Sequence, residues 1–249
     1  MLARVRFLAA VGVMLAMTSP VHADSEARTI LDKAIQGERD RKVLDDSLAA
    51  LDRLLANNPK DPEGHYARGW VLSRLGRPTY AVAEYDQALA RDPRFADAAY
   101  NAGVVLGGLK KAKEAIGYFD KALELDPAHA DALFSLGTLY AQRQEREKAT
   151  ALYRRLLAAQ PRHAGAHYQL GKILLGDGKV DEAIDHLEQS VEAQPALKGA
   201  HYQLARAYRQ KGQVEKAERE AETFRRLGTE QVDDESWRQD PVKPERPPR

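Results

Sequence analysis

Residues 131–161 read DALFSLGTLYAQRQEREKATALYRRLLAAQP, and the order of small, large and breaker residues in that stretch decides the fold. Leu136 and Tyr140 are four apart, as are Ala149 and Tyr153, with Leu156 three further on. This spacing predicts two helices, each apolar on one face, separated by the polar segment around Gln144. Gly137 in the first helix and Ala149 in the second are small enough to let two backbones approach. Pro161 stops the second helix, because proline lacks an amide donor and disfavours an α-helical residue before it.

The stretch is one copy of a repeat. Pro59, Pro93, Pro127, Pro161 and Pro195 recur every 34 residues. With residue 62 as position 1, windows of 34 run 62–95, 96–129, 130–163, 164–197 and 198–231. Position 8 is Gly69, Gly103, Gly137, Gly171 and Ala205, and position 20 is Ala81, Ala115, Ala149, Ala183 and Ala217. Position 11 carries Leu72, Leu106, Tyr140, Leu174 and Tyr208, and position 24 carries Tyr85, Phe119, Tyr153, Leu187 and Ala221. Gly76, Gly178 and Gly212 mark a turn near position 15. A single hairpin of this kind cannot bury its apolar face, so stacked neighbours must complete the core.

These columns resemble the tetratricopeptide repeat, whose pattern has a large residue at 4, Leu-Gly at 7 and 8, aromatics at 11 and 24, Ala at 20 and 27 and Pro at 32. The resemblance implies an all-α, right-handed superhelical solenoid of antiparallel helix pairs. Departures are local: position 7 is Arg68 and Ala102 in the first two windows, and position 27 is Leu156, Ser190 and Phe224 in the last three. Residues 24–61 read as a degenerate capping repeat whose second helix, roughly Leu44–Ala56, covers the apolar edge of the array. A charged helix around Val214–Leu227 closes the other end. Residues 232–249 contain Pro241, Pro244, Pro247 and Pro248 and almost no aliphatic side chains, the composition of a disordered or extended tail that begins as early as Thr229.

Composition sets limits on function. The chain of 249 residues carries 38 Lys+Arg against 37 Asp+Glu, for a formal net charge of +1. That balance removes the usual electrostatic basis for binding nucleic acid or an anionic membrane. Without cysteine, disulfides, thiolate metal sites and a cysteine nucleophile are excluded. Gly103, Gly107 and Gly108 fit neither a P-loop nor a dinucleotide turn, and no serine sits in a nucleophile elbow. His163 and His167 are four apart, as are Glu182 and His186, but no His-Glu-x-x-His pattern is present. The sequence therefore offers no catalytic residue, no metal site and no cofactor.

In proteins of this family the first helix of each pair lines a concave groove, through positions 2, 5, 6, 9, 12 and 13. Carried onto this chain, the resemblance implies a groove for a protein or peptide segment built from Glu63, Tyr66, Trp70, Asp97, Tyr100, Asn101, Asp131, Phe134, Tyr168, Lys172, Tyr202, Arg206 and Arg209. Position 5 is aromatic in every window, serving ligand contact or helix packing; sequence alone does not separate the two. Charges run from acidic (Glu63, Asp97, Asp131) to basic (Lys172, Arg206, Arg209), with Arg74 as an exception. His65, His167 and His201 recur at position 4, either replacing the bulky packing residue of that column or lining a pH-sensitive groove wall. Family members that clamp a terminal carboxylate use Lys at position 5, which this chain lacks. The implied role is a non-catalytic adaptor in envelope biogenesis, secretion or complex assembly; a regulatory or accessory subunit of a periplasmic enzyme complex stays open beside it. Self-association is not indicated.

Residues 1–23 read as a secretory signal peptide: Arg4 and Arg6, an apolar run Phe7–Met17, then Thr18-Ser19-Pro20 and Val21-His22-Ala23. The apolar run is far shorter than the roughly 20 residues a spanning helix needs, so export to the periplasm without membrane insertion after cleavage is expected, with secretion the further possibility. Mass spectrometry of the exported protein is expected to find Asp24 as its first residue; a different start overturns the cleavage assignment.

Overall fold

The computed structural model describes residues 25–229. The expected signal segment and the Pro-rich tail, 232–249, lie outside the described residues. Among those described, every regular element is an α-helix, and the chain divides into two compact units at Leu139 and Tyr140. The first unit holds α1 (Glu26–Gln36), α2 (Arg41–Asn57), α3 (Pro62–Arg74), α4 (Pro78–Arg91), α5 (Ala96–Gly108), α6 (Ala112–Leu125) and most of α7 (Ala130–Gln142). The second holds α8 (Arg146–Ala159), α9 (Ala164–Gly176), α10 (Val180–Ala193), α11 (Lys198–Gln210) and α12 (Val214–Thr229). Within the first unit α3 packs on α4, α4 on α5 and α5 on α6, with α1 against α2 and α3. In the second, α8 packs on α9, α9 on α10, α10 on α11 and α11 on α12. Each unit is a stack of antiparallel helix pairs.

The same local chemistry sets the helix bounds in every window. First helices occupy positions 1–13 and second helices start at position 17. The residue at position 15 is left-handed each time: Gly76 (φ 73°), Lys110 (61°), Gln144 (63°), Gly178 (77°) and Gly212 (76°). That conformation lets the amide at position 16 reach back to the carbonyl at position 11, as Arg77 N–H does to Leu72 O (2.9 Å) and Gln213 N–H to Tyr208 O (2.9 Å). This is the closure of a Schellman cap, which satisfies otherwise orphaned carbonyls at the helix end. Three windows use glycine there, and Lys110 and Gln144 adopt the same backbone at the steric cost of a side chain. At the far end of each pair but the last, proline takes the second place of a turn; in the last window position 32 is Thr229, still within α12. Phe95 N–H donates to Asp92 O (3.1 Å) across Pro93, and Leu197 N–H to Gln194 O (3.0 Å) across Pro195.

Paired helices meet at positions 8, 20 and 24. A Cβ on Gly103 would lie 2.7 Å from the Phe119 ring, and one on Gly171 would lie 2.6 Å from Leu187 Cγ and 3.1 Å from the Ala183 carbonyl. The position 20 alanines are fully buried in all five windows. Where position 8 is Ala205, position 24 is Ala221 rather than a ring or Leu, so volume gained on one helix is lost on its partner. Ser190, at a column otherwise apolar, is buried with its hydroxyl donating to Ala164 O (2.9 Å).

The amino-terminal pair differs from the sequence expectation in its bounds. Helix α2 starts at Arg41, three residues before Leu44, because Asp40 caps it: its carboxylate accepts from Lys42 N–H (2.8 Å). Ala27, Leu31, Leu44 and Leu51 of this pair form one core with Ala67, Trp70 and Val71 of α3.

Close packing at position 8 yields a measurable coupling. Gly171→Ala is expected to cost about 1–3 kcal/mol by overpacking, and much less in a Leu187→Ala background, which recreates the Ala205 and Ala221 pair. Chemical denaturation of the four proteins of the cycle checks this; additive effects would mean that the two residues do not compete for one space.

Candidate partner-binding face

In the first unit the position 5 tyrosines, Tyr66 and Tyr100, are struts between successive first helices. Tyr66 stacks on Phe95 (4.8 Å between centroids) and Tyr85 (5.8 Å), and its hydroxyl accepts from Asn101 Nδ2 (3.0 Å), which also donates to Asp97 O (3.0 Å). Tyr100 is buried between Phe119 and His129 and hydrogen-bonded to Ser135; burial, with Asp131 adding to it, pushes its hydroxyl up to about 12. In both cases the hydroxyl at position 5 bonds the residue at position 6 of the following first helix. Burial first, then Asp97, also raises Tyr66 above the ordinary tyrosine range.

Glu63 and Trp70 are not presented to solvent. Glu63 is 7% exposed and accepts from Ser25 Oγ (2.6 Å) at the start of α1. Trp70 is 6% exposed, in the core shared with Leu31 and Ala34, with the Arg74 guanidinium 4.9 Å from its ring centre. The physical reason is α1, which packs on α3 and covers the positions that would face a ligand. Asp97 is partly exposed and bonded to His129 Nε2 (3.2 Å), Phe134 is half-buried, and Asp131 is exposed.

The second unit presents Lys172 and Arg209 as exposed residues, with Tyr168, Tyr202 and Arg206 half-buried. Arg206 donates to Gln203 Oε1 (3.1 Å) and lies over the Tyr202 ring (5.9 Å), and Tyr202 packs on Phe224 (5.3 Å). Tyr168 packs against the core of Leu174, Leu187 and Leu204. Acidic residues are absent from α9 and α11.

Polar residues in buried columns have specific partners. His65 Nδ1 meets Glu84 Oε2 (2.7 Å) while Nε2 meets Pro59 O (3.2 Å). His201 repeats the arrangement with Glu220 (2.6 Å) and Pro195 O (2.8 Å), and His167 does so with His186 Nδ1 (2.9 Å) and Pro161 O (2.9 Å). Position 4 is thus tied to position 23 of its own pair and to the proline loop before it. Both nitrogens of His65 and His201 face oxygen atoms, one of a carboxylate and one of a proline carbonyl. Arg68 belongs to the same network: it bridges Asp52 of α2 (2.8 Å) and Glu84 of α4 (2.8 Å), which explains a charge at a column that is elsewhere apolar. The sequence holds the signal for these ties. Windows with His at position 4 have Glu84, His186 or Glu220 at position 23, whereas Ala99 and Leu133 are matched by Tyr118 and Leu152.

Among the described residues no group of three His, Asp or Glu is placed to hold a metal ion. His163 instead caps α9, its Nδ1 accepting from Ala166 N–H (3.0 Å). No described helix is long and apolar enough to cross a membrane.

Family models agree with this architecture. A tetratricopeptide repeat model matches residues 39–82 and 66–130, and a second matches 174–226. A model described as anaphase-promoting complex, cyclosome, subunit 3 matches 108–190. No curated protein matches the chain. Among solved structures, it is similar to YrrB, described as a TPR protein with an unusual peptide-binding site, at 27% identity and TM-score 0.61, over 72% of this chain and 93% of that one. PilF of Pseudomonas aeruginosa is similar at 20% identity and TM-score 0.70, over 82% and 95% of the two chains. PilW, described as a widely conserved type IV pilus biogenesis factor, is similar at 22% identity and TM-score 0.65, over 82% and 94%. The last two likenesses concern the fold alone.

The facing imidazoles of α9 and α10 make stability depend on pH. Burial, then the His167 ring and Arg154, lower the pKa of His186, with Asp185 and Glu182 opposing them. The unfolded chain then takes the proton more readily, so this contribution to stability is present above the ordinary histidine range, about 6.5, and is lost as pH falls through and below it. His186→Glu recreates the His–Glu pairing of the other two ties and is expected to remove that loss. Melting temperatures at pH 5.5 and 7.5 read the effect; an equal acid loss in both proteins would rule out the pair as its source.

Proposed function

Because the chain carries tetratricopeptide repeats over the matched residues, we propose that it is a non-catalytic adaptor which holds a segment of a partner polypeptide on its first-helix faces. The observation that carries this reading is the division of labour between helices. Small residues and rings are consumed where the helices of a pair meet, while the first helices keep Asp131, Phe134, Tyr168, Lys172, Tyr202, Arg206 and Arg209 at least partly exposed. Half-buried aromatics beside charged groups supply contact area at low entropic cost together with directional bonds. The likeness to YrrB, whose description includes a peptide-binding site, supports the same use of the fold here.

Export places this activity in the periplasm, in assembly of an envelope or secretion complex; that part rests on the signal-like sequence of residues 1–23 and on fold analogy. Tyr66 and Tyr100 act in it as struts, so ligand contact in the first unit falls to Asp131, Phe134 and the exposed edge of Asn101. Capture from an envelope fraction with residues 24–249 as bait is expected to yield a stoichiometric polypeptide. Asp131→Lys combined with Phe134→Ala should reduce its recovery at least tenfold at unchanged helicity. Full recovery by that variant, or substrate turnover by the isolated chain, would reject the adaptor reading.

A further inference from the structure

Charge on α9, α10 and α11 of the second unit is sorted by helix, whereas α8 and α12 carry both signs. The first helices, α9 and α11, contain Lys172, Lys198, Arg206 and Arg209 and no Asp or Glu, whereas α10 carries Asp181, Glu182, Asp185, Glu188 and Glu192. Position 9 is cationic on both packed first helices, as Lys172 and Arg206, and Arg209 lies one turn beyond Arg206. Tyr168 and Tyr202 lie on the same two helices. At position 2, where the first unit has Glu63, Asp97 and Asp131, the second has Gly165 and Gly199, which add no charge; the Tyr168 hydroxyl lies over Gly199, 3.0 Å from the place a Cβ there would take.

Immediately after α12 the sequence runs Glu230-Gln231-Val232-Asp233-Asp234-Glu235-Ser236-Trp237: four acids, no base and one aromatic. The end of α12 lies beside the start of α11. Lys198 Nζ is 3.2 Å from the place a Cβ on Gly228 would take, and it sits 4.9 Å from the Phe224 ring centre. The acidic stretch therefore leaves the fold next to the amino-terminal end of the cationic face. Eight extended residues reach about 26 Å at roughly 3.3 Å each, against about 20 Å for the 13 residues of α11. A tethered segment also meets its site at an effective concentration on the order of millimolar.

We propose that residues 230–237 of this same chain occupy the first-helix face of the second unit, their carboxylates set against Lys172, Lys198, Arg206 and Arg209 and Trp237 against the tyrosine pair. The tail acts as an internal competitor, so that an external segment gains this face only by displacing it. Opposite charges give the pairing its selectivity and its sensitivity to salt. This assignment takes from the adaptor reading the idea that first-helix faces bind polypeptide, but its test uses different residues.

The chain has no cysteine, so Ser236→Cys gives the full protein one thiol for a fluorophore. Anisotropy at low salt is expected to exceed that of a labelled 228–249 peptide carrying the same substitution. It should fall by half or more of that excess at high salt, and likewise in Lys172→Glu, Arg206→Glu, Arg209→Glu with helicity unchanged. The triple glutamine variant serves if charge reversal impairs folding. Anisotropy equal to that of the peptide at low salt, or indifferent to the face variants, would overturn the assignment. So would an excess that disappears on dilution, which would place the segment on a second copy. Loss of partner capture in Asp131→Lys with Phe134→Ala is read separately, so either proposal fails without the other.

Discussion

Close approach between the two helices of each pair is the constraint on which the rest depends. A backbone separation that leaves no room for a Cβ at Gly69, Gly103 or Gly171 fixes the register of the first helix against the second to the residue. It forces Ala at position 20 and sets the size allowed at position 24. Interiors are packed too densely to absorb a slip of one residue, which would set a ring against backbone. The left-handed turn at position 15, in all five windows, and the proline turn at 31–34, in the first four, then only have to return the chain at the right place, and each uses the same hydrogen bonds wherever it occurs. The repeat length follows: 13 helical residues, a turn of three, a second helix of about 14 and a proline turn.

With that contact fixed, the flanking columns tolerate polar chemistry, provided that each group finds a partner. An unpaired imidazole or guanidinium at a buried position is costly to desolvate. His65, His167 and His201 avoid that cost by reaching a proline carbonyl on one side and position 23 on the other, which joins each pair to the loop before it. Arg68 extends one such tie across three helices through Asp52 and Glu84. These contacts link neighbouring pairs beside the apolar cores, which likewise run from one pair into the next.

The fold was legible because prolines and small residues act locally: Pro93 ends a helix and turns the chain wherever its neighbours are, and Gly178 accepts a positive φ for reasons internal to its backbone. The bounds of α2 were less legible, because Asp40 begins the helix three residues before its apolar pattern does. The candidate face was legible only as a set of positions. Glu63 and Trp70 occupy ligand-facing columns by number, yet α1 covers them, and covering depends on which neighbour lies beyond a helix rather than on the helix's own sequence. Likewise Tyr66 and Tyr100 spend their hydroxyls on the next first helix. The pairing of position 4 with position 23 could have been read, since the columns change together, but only by comparing positions 19 residues apart that no helical periodicity connects.

A formal charge of +1 across 249 residues suggests an electrostatically featureless protein, but net charge averages over a sorted distribution. In the second unit α9 and α11 carry bases and no acid while α10 between them carries five acids, and two of the first-helix bases are held against aromatic faces, Lys198 on Phe224 and Arg206 on Tyr202. Cations placed over rings keep their charge while their alkyl stems pack, so they mark a surface without destabilising it. Over-all neutrality then follows if the compensating acids lie elsewhere in the same chain, on α10 and in the stretch after α12. A solenoid is suited to this arrangement because its first helices can change sign from one repeat to the next while the contacts at positions 8, 20 and 24 stay the same. Packing and recognition use different columns of one 34-residue pattern, and selection on one need not disturb the other.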